Sequence, residues 1–223
     1  MKKKFIVAAV SLGLFLLLIL LVKAVDVADV AAVEGTKIGL SKLNMAIHEM
    51  FGEHLAWYKV TNVLGYLAIL IGLCFAAIGG LQLIYRRSLL KVDKDILLLG
   101  CLYALTILFY VFFEKVVVNY RPILMPDGEG LEASFPSSHT VLSYVILGSG
   151  MELVKKYAKK SKTLQLVLTV VFAVMLALIV AGRLLSGVHW FTDIIGGVLL
   201  SAALLNAYEG LLKLWKQRAK AQK

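Results

Sequence analysis

Cysteine is nearly absent from this chain, with two in 223 residues, and both fall inside apolar runs. Their positions, Cys74 and Cys101, exclude a disulfide framework and a CxxC metal site, and predict thiols that pack as small hydrophobes. Proline is almost as scarce. The three that occur, Pro122, Pro126 and Pro136, all sit in one segment, which marks Glu114–Ser138 as a true loop together with Gly128 and Gly130. Acidic residues number 14 against 24 lysines and arginines. No composition shift separates two soluble domains, and there is no internal repeat or low-complexity tract. The sequence therefore reads as one domain over residues 1–223.

What the chain does have is apolar length. Hydrophobic residues make up 60% of it and mean hydropathy is +0.85, above the roughly 45–50% of ordinary soluble domains. Six runs approach the ~20 residues that a bilayer core demands: 5–22, 60–85, 96–113, 137–154, 163–181 and 190–214. The first follows Lys2, Lys3 and Lys4 like a signal peptide, but no small-x-small site follows before Lys23, so it is expected to remain as an anchor. The fold class expected is an all-α, six-transmembrane bundle.

The net charge of +10 suggests nucleic acid until its placement is considered. Basic residues cluster at the amino terminus, in Arg86–Lys94, in Lys155–Lys162 and from Lys213 onward. With six spans these clusters share one side, the positive-inside pattern, placing both termini in the cytoplasm of a multi-pass plasma or inner-membrane protein. No nucleic-acid partner is expected; membrane lipids are. The outer segment Lys23–Lys59 includes SKLNMAIHEMFGEHLAWY, with Leu43, Ile47, Met50, Phe51 and Leu55 at near-helical spacing. That predicts an extra amphipathic helix on the outer surface over about 41–57, with Trp57 and Tyr58 at headgroup depth. His48 and His54 within it are expected to be solvated.

Three polar constellations bracket the outer helix ends. NYRP gives Arg121; FPSSHT gives Ser137, Ser138 and His139; GRLLSGVHWFTD gives Arg183, His189 and Asp193. Each has a plain reading. Proline and serine begin a helix, arginines snorkel, and His189 with Asp193 is an i, i+4 pair. Taken together they place two guanidinium forks, a helix amino terminus, two histidines and a carboxylate on one side. These are groups suited to phosphate-ester chemistry without a metal.

In these residues the chain resembles the type-2 phosphatidic acid phosphatases, membrane lipid phosphatases related to vanadium haloperoxidases. That family carries Lys-x6-Arg-Pro, Pro-Ser-Gly-His and Ser-Arg-x5-His-x3-Asp in this order. Here the third is Gly182-Arg183-x5-His189-x3-Asp193 and the second Pro136-Ser137-Ser138-His139. The resemblance implies that His189 attacks phosphorus to form a phosphohistidine, and that Asp193 orients its ring. His139 would protonate the leaving oxygen and then activate water. Arg121, Arg183, Ser137 and backbone N–H groups near Ser138 would hold the phosphoryl oxygens, with no cofactor. The first motif is out of step, because seven residues before Arg121 stands Glu114, with Lys115 next to it. Lys115 is carried as a phosphate ligand. The alternative is that Glu114 faces the site and pairs with an arginine.

The expected activity is hydrolysis of a lipid phosphate or diphosphate on the extracytoplasmic face. Undecaprenyl diphosphate, phosphatidylglycerol phosphate and phosphatidate all fit, and the compact, lysine-rich chain tilts the choice to the polyprenyl diphosphate. A lipid phosphotransferase would share the chemistry up to the phosphoenzyme. A transporter or lipid-binding protein would carry charge along several spans. The runs 61–85 and 96–113 hold no Asp, Glu, Lys, Arg or His, which argues against one. Oligomeric state is not legible.

Overall fold

A computed structural model describes residues 1–30, 35–125 and 130–221; Pro126 and Gly128 of the expected outer loop lie outside them. The described residues form seven α-helices: α1 (Lys2–Ala24), α2 (Ser41–Phe51), α3 (Leu55–Arg86), α4 (Lys94–Lys115), α5 (Ser138–Tyr157), α6 (Lys162–Leu185) and α7 (Phe191–Ala221). Between α1 and α2, strands β1 (Ala28–Asp29) and β2 (Lys37–Ile38) pair antiparallel, Ala28 opposite Ile38.

Each of the six apolar runs became a helix. Five of the described helices, α1, α3, α4, α6 and α7, are long and apolar enough to cross a membrane. The sixth run, α5, is not apolar enough, and its position explains why. It packs against α3, α4, α6 and α7, and Ser143, Ser149, Gly148 and Gly150 along it are buried. A helix enclosed by other helices has no need of an apolar surface for lipid, and small residues let its neighbours approach. The outer helices show the reverse pattern. Val63, Leu67 and Leu70 of α3, Ile107 and Leu108 of α4, and Val170 and Val174 of α6 all point outward.

Ion pairs sort the two ends of the bundle. Lys4 of α1 meets Glu209 of α7 at 2.7 Å. Lys156 at the end of α5 reaches Asp93 and Asp95 at the start of α4, at 3.1 and 3.2 Å, and Lys94 lies over the Trp215 ring. The four basic clusters thus gather at one end, and the three polar constellations lie at the other.

Two expectations need correction. The amphipathic segment does not run to residue 57. Helix α2 stops at Phe51, where Gly52 adopts φ +68°, and residues 55–57 begin α3. Ser41 and Asn44 of α2 are buried against the protein, whereas Leu43 and Met50 are exposed. The cysteines, in turn, do not pack internally. Cys74 and Cys101 are exposed on α3 and α4, where a thiol is apolar enough to face lipid.

Candidate active site

Helix α7 begins at Phe191, and the residues around its start carry two candidates. His189 is 3% exposed and Asp193 fully buried, with Nδ1 and Oδ2 3.6 Å apart. Asp193 is held by other bonds: Oδ2 accepts from the Trp190 backbone N–H at 2.9 Å, and Oδ1 from Asn119 Nδ2 at 3.3 Å. The carboxylate, restrained on both oxygens, holds a fixed position beside the imidazole, with Nδ1 just beyond hydrogen-bond distance.

The other ring nitrogen faces an arginine. Arg121 Nη1 lies 3.3 Å from His189 Nε2 and also donates to the Val188 carbonyl at 3.2 Å. A guanidinium only donates, so Nε2 is the accepting, unprotonated nitrogen and the proton sits on Nδ1, toward Asp193. Burial, reinforced by the charges of Arg121 and Arg183 and by His139, holds the His189 imidazole well below its usual pKa. The ring is therefore a neutral base with its lone pair directed at a guanidinium.

Arg121 is itself restrained. Its Nε donates to Glu132 Oε2 at 2.8 Å, its backbone N–H to the Glu132 carbonyl, and the neighbouring Tyr120 pairs with Ala133. Arg183 reaches the same site from the last turn of α6. It is 0% exposed, and its guanidinium donates from Nη2 to Asn62 Oδ1, with the Tyr58 ring 5.1 Å from Cζ. Its Nε and Nη1 are buried with no partner among the described residues. An unpaired buried guanidinium is costly, so these N–H groups define a place for an anion.

Helix α5 opens beside them. Ser137 precedes it and is fully buried, its N–H donating to the Asp193 carbonyl at 3.1 Å, which ties the two helix starts together. The sequence suggested that serine caps this helix. Ser137 occupies that position but makes no capping bond; its Oγ accepts from Thr140 Oγ1 at 3.1 Å instead. The first turn of α5 is thus left as an uncapped, positively polarised helix end. Ser138 and His139 follow, half-buried. Gly65 of α3 makes room for His139, since a Cβ there would lie 2.9 Å from its ring.

A narrow cleft adjoins His189, lined by Phe109, Phe113, Glu114, Phe135, Ser138 and Leu142 among others. A second, on the α3 side of α5, reaches His139 past Gly65, Tyr66 and Tyr110. Both are lined largely by apolar side chains. Glu114 lines the first cleft, whereas Lys115 is exposed and lines neither. The arginine–carboxylate pair foreseen for Glu114 exists, but its carboxylate is Glu132.

The structure thus brings together Arg121, Ser137, Ser138, His139, Arg183, His189 and Asp193, and leaves Lys115 aside. It adds Tyr58, Asn62, Asn119, Glu132 and Trp190; Asn119 and Trp190 stand inside the stretches NYRP and GRLLSGVHWFTD, but none of the five was assigned a part in the site. His54 is exposed as expected, while His48 is half-buried against Trp190, ring centroids 5.4 Å apart.

Comparison with known proteins bears on the family and the fold. The family model described as "PAP2 superfamily" matches residues 65–215. Among solved structures, the chain resembles one described as the crystal structure of the first transmembrane PAP2 type phosphatidylglycerolphosphate phosphatase, from Bacillus subtilis. The TM-score is 0.66 at 18% identity, covering 93% of this chain and 96% of that one. At that identity the likeness speaks for the fold. No curated protein sequence matches the chain significantly.

Proposed function

The chain belongs to the PAP2 superfamily, and from that premise we propose that it is an integral-membrane lipid phosphatase. It removes phosphate from a lipid phosphate or diphosphate at the end of the bundle opposite the basic clusters, a reading of the extracytoplasmic face that the charge pattern supports. The observation that carries this reading is Arg183. Its guanidinium is fully buried with two nitrogens unpartnered among the described residues, and its charge, like that of Arg121, acts on the neutral His189 imidazole. Such a site is built for a multiply charged, tetrahedral anion.

The phosphoryl group enters between the arginines and the start of α5, displacing Arg121 from the His189 lone pair. Nε2 of His189 then attacks phosphorus in line with the lipid oxygen. The P–O bond breaks, and His139 gives a proton to the leaving oxygen. Asp193 stabilises the positive charge that develops on the His189 ring. In the second half, His139 takes a proton from water, whose oxygen attacks the phosphohistidine and releases inorganic phosphate. Arg121, Arg183, Ser137 and the first N–H groups of α5 face the equatorial oxygens as charge builds. Two histidines and one carboxylate beneath two guanidiniums suit an anion and repel a cation, so no step is routed through a metal.

Purified protein in detergent, assayed for phosphate release against a panel of lipid phosphates and diphosphates, tests the proposal. Activity should survive chelator, fall with vanadate, and vanish in His189→Ala. Loss on chelation would overturn the metal-free step, and a His189→Ala variant near wild type would remove the phosphohistidine.

A further inference from the structure

The first turn of α7 carries Asp193 and is entered from His189, so whatever fixes that turn fixes the proposed nucleophile. Its cap is unusual in one respect. Asp193, three residues after Trp190, reaches back to the Trp190 N–H at 2.9 Å, which is one half of a reciprocal capping box. The other half requires a side-chain oxygen on the residue before the helix, accepting from a first-turn N–H. Tryptophan has no such oxygen.

The missing acceptor comes from α2. Asn44 Oδ1 accepts the Thr192 N–H at 3.1 Å, while Asn44 Nδ2 donates to Thr192 Oγ1 at 3.1 Å and to the Gly39 carbonyl at 3.0 Å. Asn44 is 0% exposed and Thr192 is 2% exposed, so these bonds are made out of water. Three of the carboxamide's four hydrogen-bond positions, including both donors, are filled. Loss of any partner leaves a buried polar group unsatisfied.

The rest of the outer segment holds Asn44 in place. Asp26 Oδ2 accepts the Lys42 N–H at 2.8 Å in the first turn of α2. Val30, Ile38 and Met45 pack on Trp190, and His48, one turn beyond Asn44, lies against the same indole. Trp190 Nε1 in turn donates to the Tyr120 carbonyl at 2.9 Å, one residue before Arg121. Every one of these outer-segment residues precedes the span 65–215 that the family model matches.

We propose that Asn44 is a positioning residue for the reaction. It supplies the cap that Trp190 lacks and thereby sets the angle between His189 and Asp193, making the outer segment a working part of the site. The inference rests on the phosphatase reading, and its test separates the two.

Asn44→Leu keeps the side-chain volume and removes all three bonds, and Thr192→Val removes only the hydroxyl that Nδ2 meets. In both, kcat on the best lipid phosphate should fall roughly 10- to 100-fold, the cost of a small misplacement of a reacting group, with KM within about twofold. Thr192→Ser, which keeps the hydroxyl, should restore kcat to within about threefold of wild type. A second readout needs no turnover. Diethyl pyrocarbonate acylation of His189, followed by peptide mass spectrometry, should accelerate in Asn44→Leu while that of exposed His54 stays constant. If Asn44→Leu does not elute as a folded particle, the Thr192 pair decides. A wild-type kcat in Thr192→Val, or an unchanged His189 acylation rate in folded Asn44→Leu, overturns the proposal. If wild-type protein hydrolyses none of the panel, the phosphatase reading fails, and the acylation rates still decide whether Asn44 positions His189.

Discussion

Gly182 stands where the related motif has serine, and the packing around it shows what the smaller residue allows. A Cβ there would lie 2.5 Å from Thr61 Cγ2 and 2.9 Å from the Trp57 ring. Without one, α3 closes on α6, bringing Tyr58 and Asn62 to the Arg183 guanidinium beside it. Gly182→Ser should therefore overpack the contact by about 1–3 kcal/mol, lowering Tm in detergent, and Thr61→Ala in the same chain should recover part of the loss. A Tm equal to wild type would mean that α3 does not need to lie so close. Glu132 acts differently, through orientation. Its side chain is 40% exposed, so its ion pair with Arg121 adds little stability. Glu132→Gln should leave Tm nearly unchanged and raise KM up to roughly fivefold, equivalent to about 1 kcal/mol. An unchanged KM would show that the backbone pairing of Arg121 and Tyr120 suffices. Neither residue was marked in the sequence as anything more than a departure or a loop acid. Their partners are 121 and 11 residues distant along the chain, and only the folded chain shows them.

Among elements, the spans were the most legible, because a lipid-facing helix must be apolar over its whole length and that requirement is written locally. The same rule made α5 the weakest run in the sequence, since an enclosed helix is free of it; only its position among four neighbours explains the serines and glycines. Helix α2 was legible as amphipathic but not in its limits or its purpose. The apolar periodicity continues through Leu55 into α3, masking the break at Gly52, and Asn44 meets a partner 148 residues away. Lys115 and Glu114 show how sharply register matters: one residue turns a helical side chain by ~100°, and it is Glu114 that lines the cleft while Lys115 is exposed. At the opposite end, Asp93 joins three helices through Arg86 and Lys156. The bond from Arg86, aided by Lys156, holds its carboxyl below the ordinary value of 3.8. A depressed carboxyl stabilises the fold above its unfolded pKa and loses that contribution as pH falls through the folded one. Asp93→Asn should thus lower Tm by a constant amount from about pH 5 to 8, and the gap should close below about pH 4. A gap that persists into acid would assign the effect to packing.

At the scale of the whole molecule, one axis organises everything. Basic clusters, both described chain ends and the Asp93 network occupy one end of the bundle; two arginines, two histidines and Asp193 occupy the other. If positive charge marks the cytoplasmic side, the site opens on the outer side, where the proposed lipid phosphate would meet it. The assignment can be read directly by cysteine accessibility in a chain from which Cys74 and Cys101 have been replaced by alanine. Leu131, 47% exposed at the site end, and Leu90, 89% exposed between α3 and α4, are suitable single positions. A membrane-impermeant maleimide added to intact cells should label Leu131→Cys at once and Leu90→Cys only after lysis. The reversed pattern would place the site in the cytoplasm, where the basic clusters would then face outward against the charge rule. Because the residues of the site come from α3, α5, α6, α7 and the loop after α4, all at one end, a single pair of labels fixes the side on which the phosphate is released.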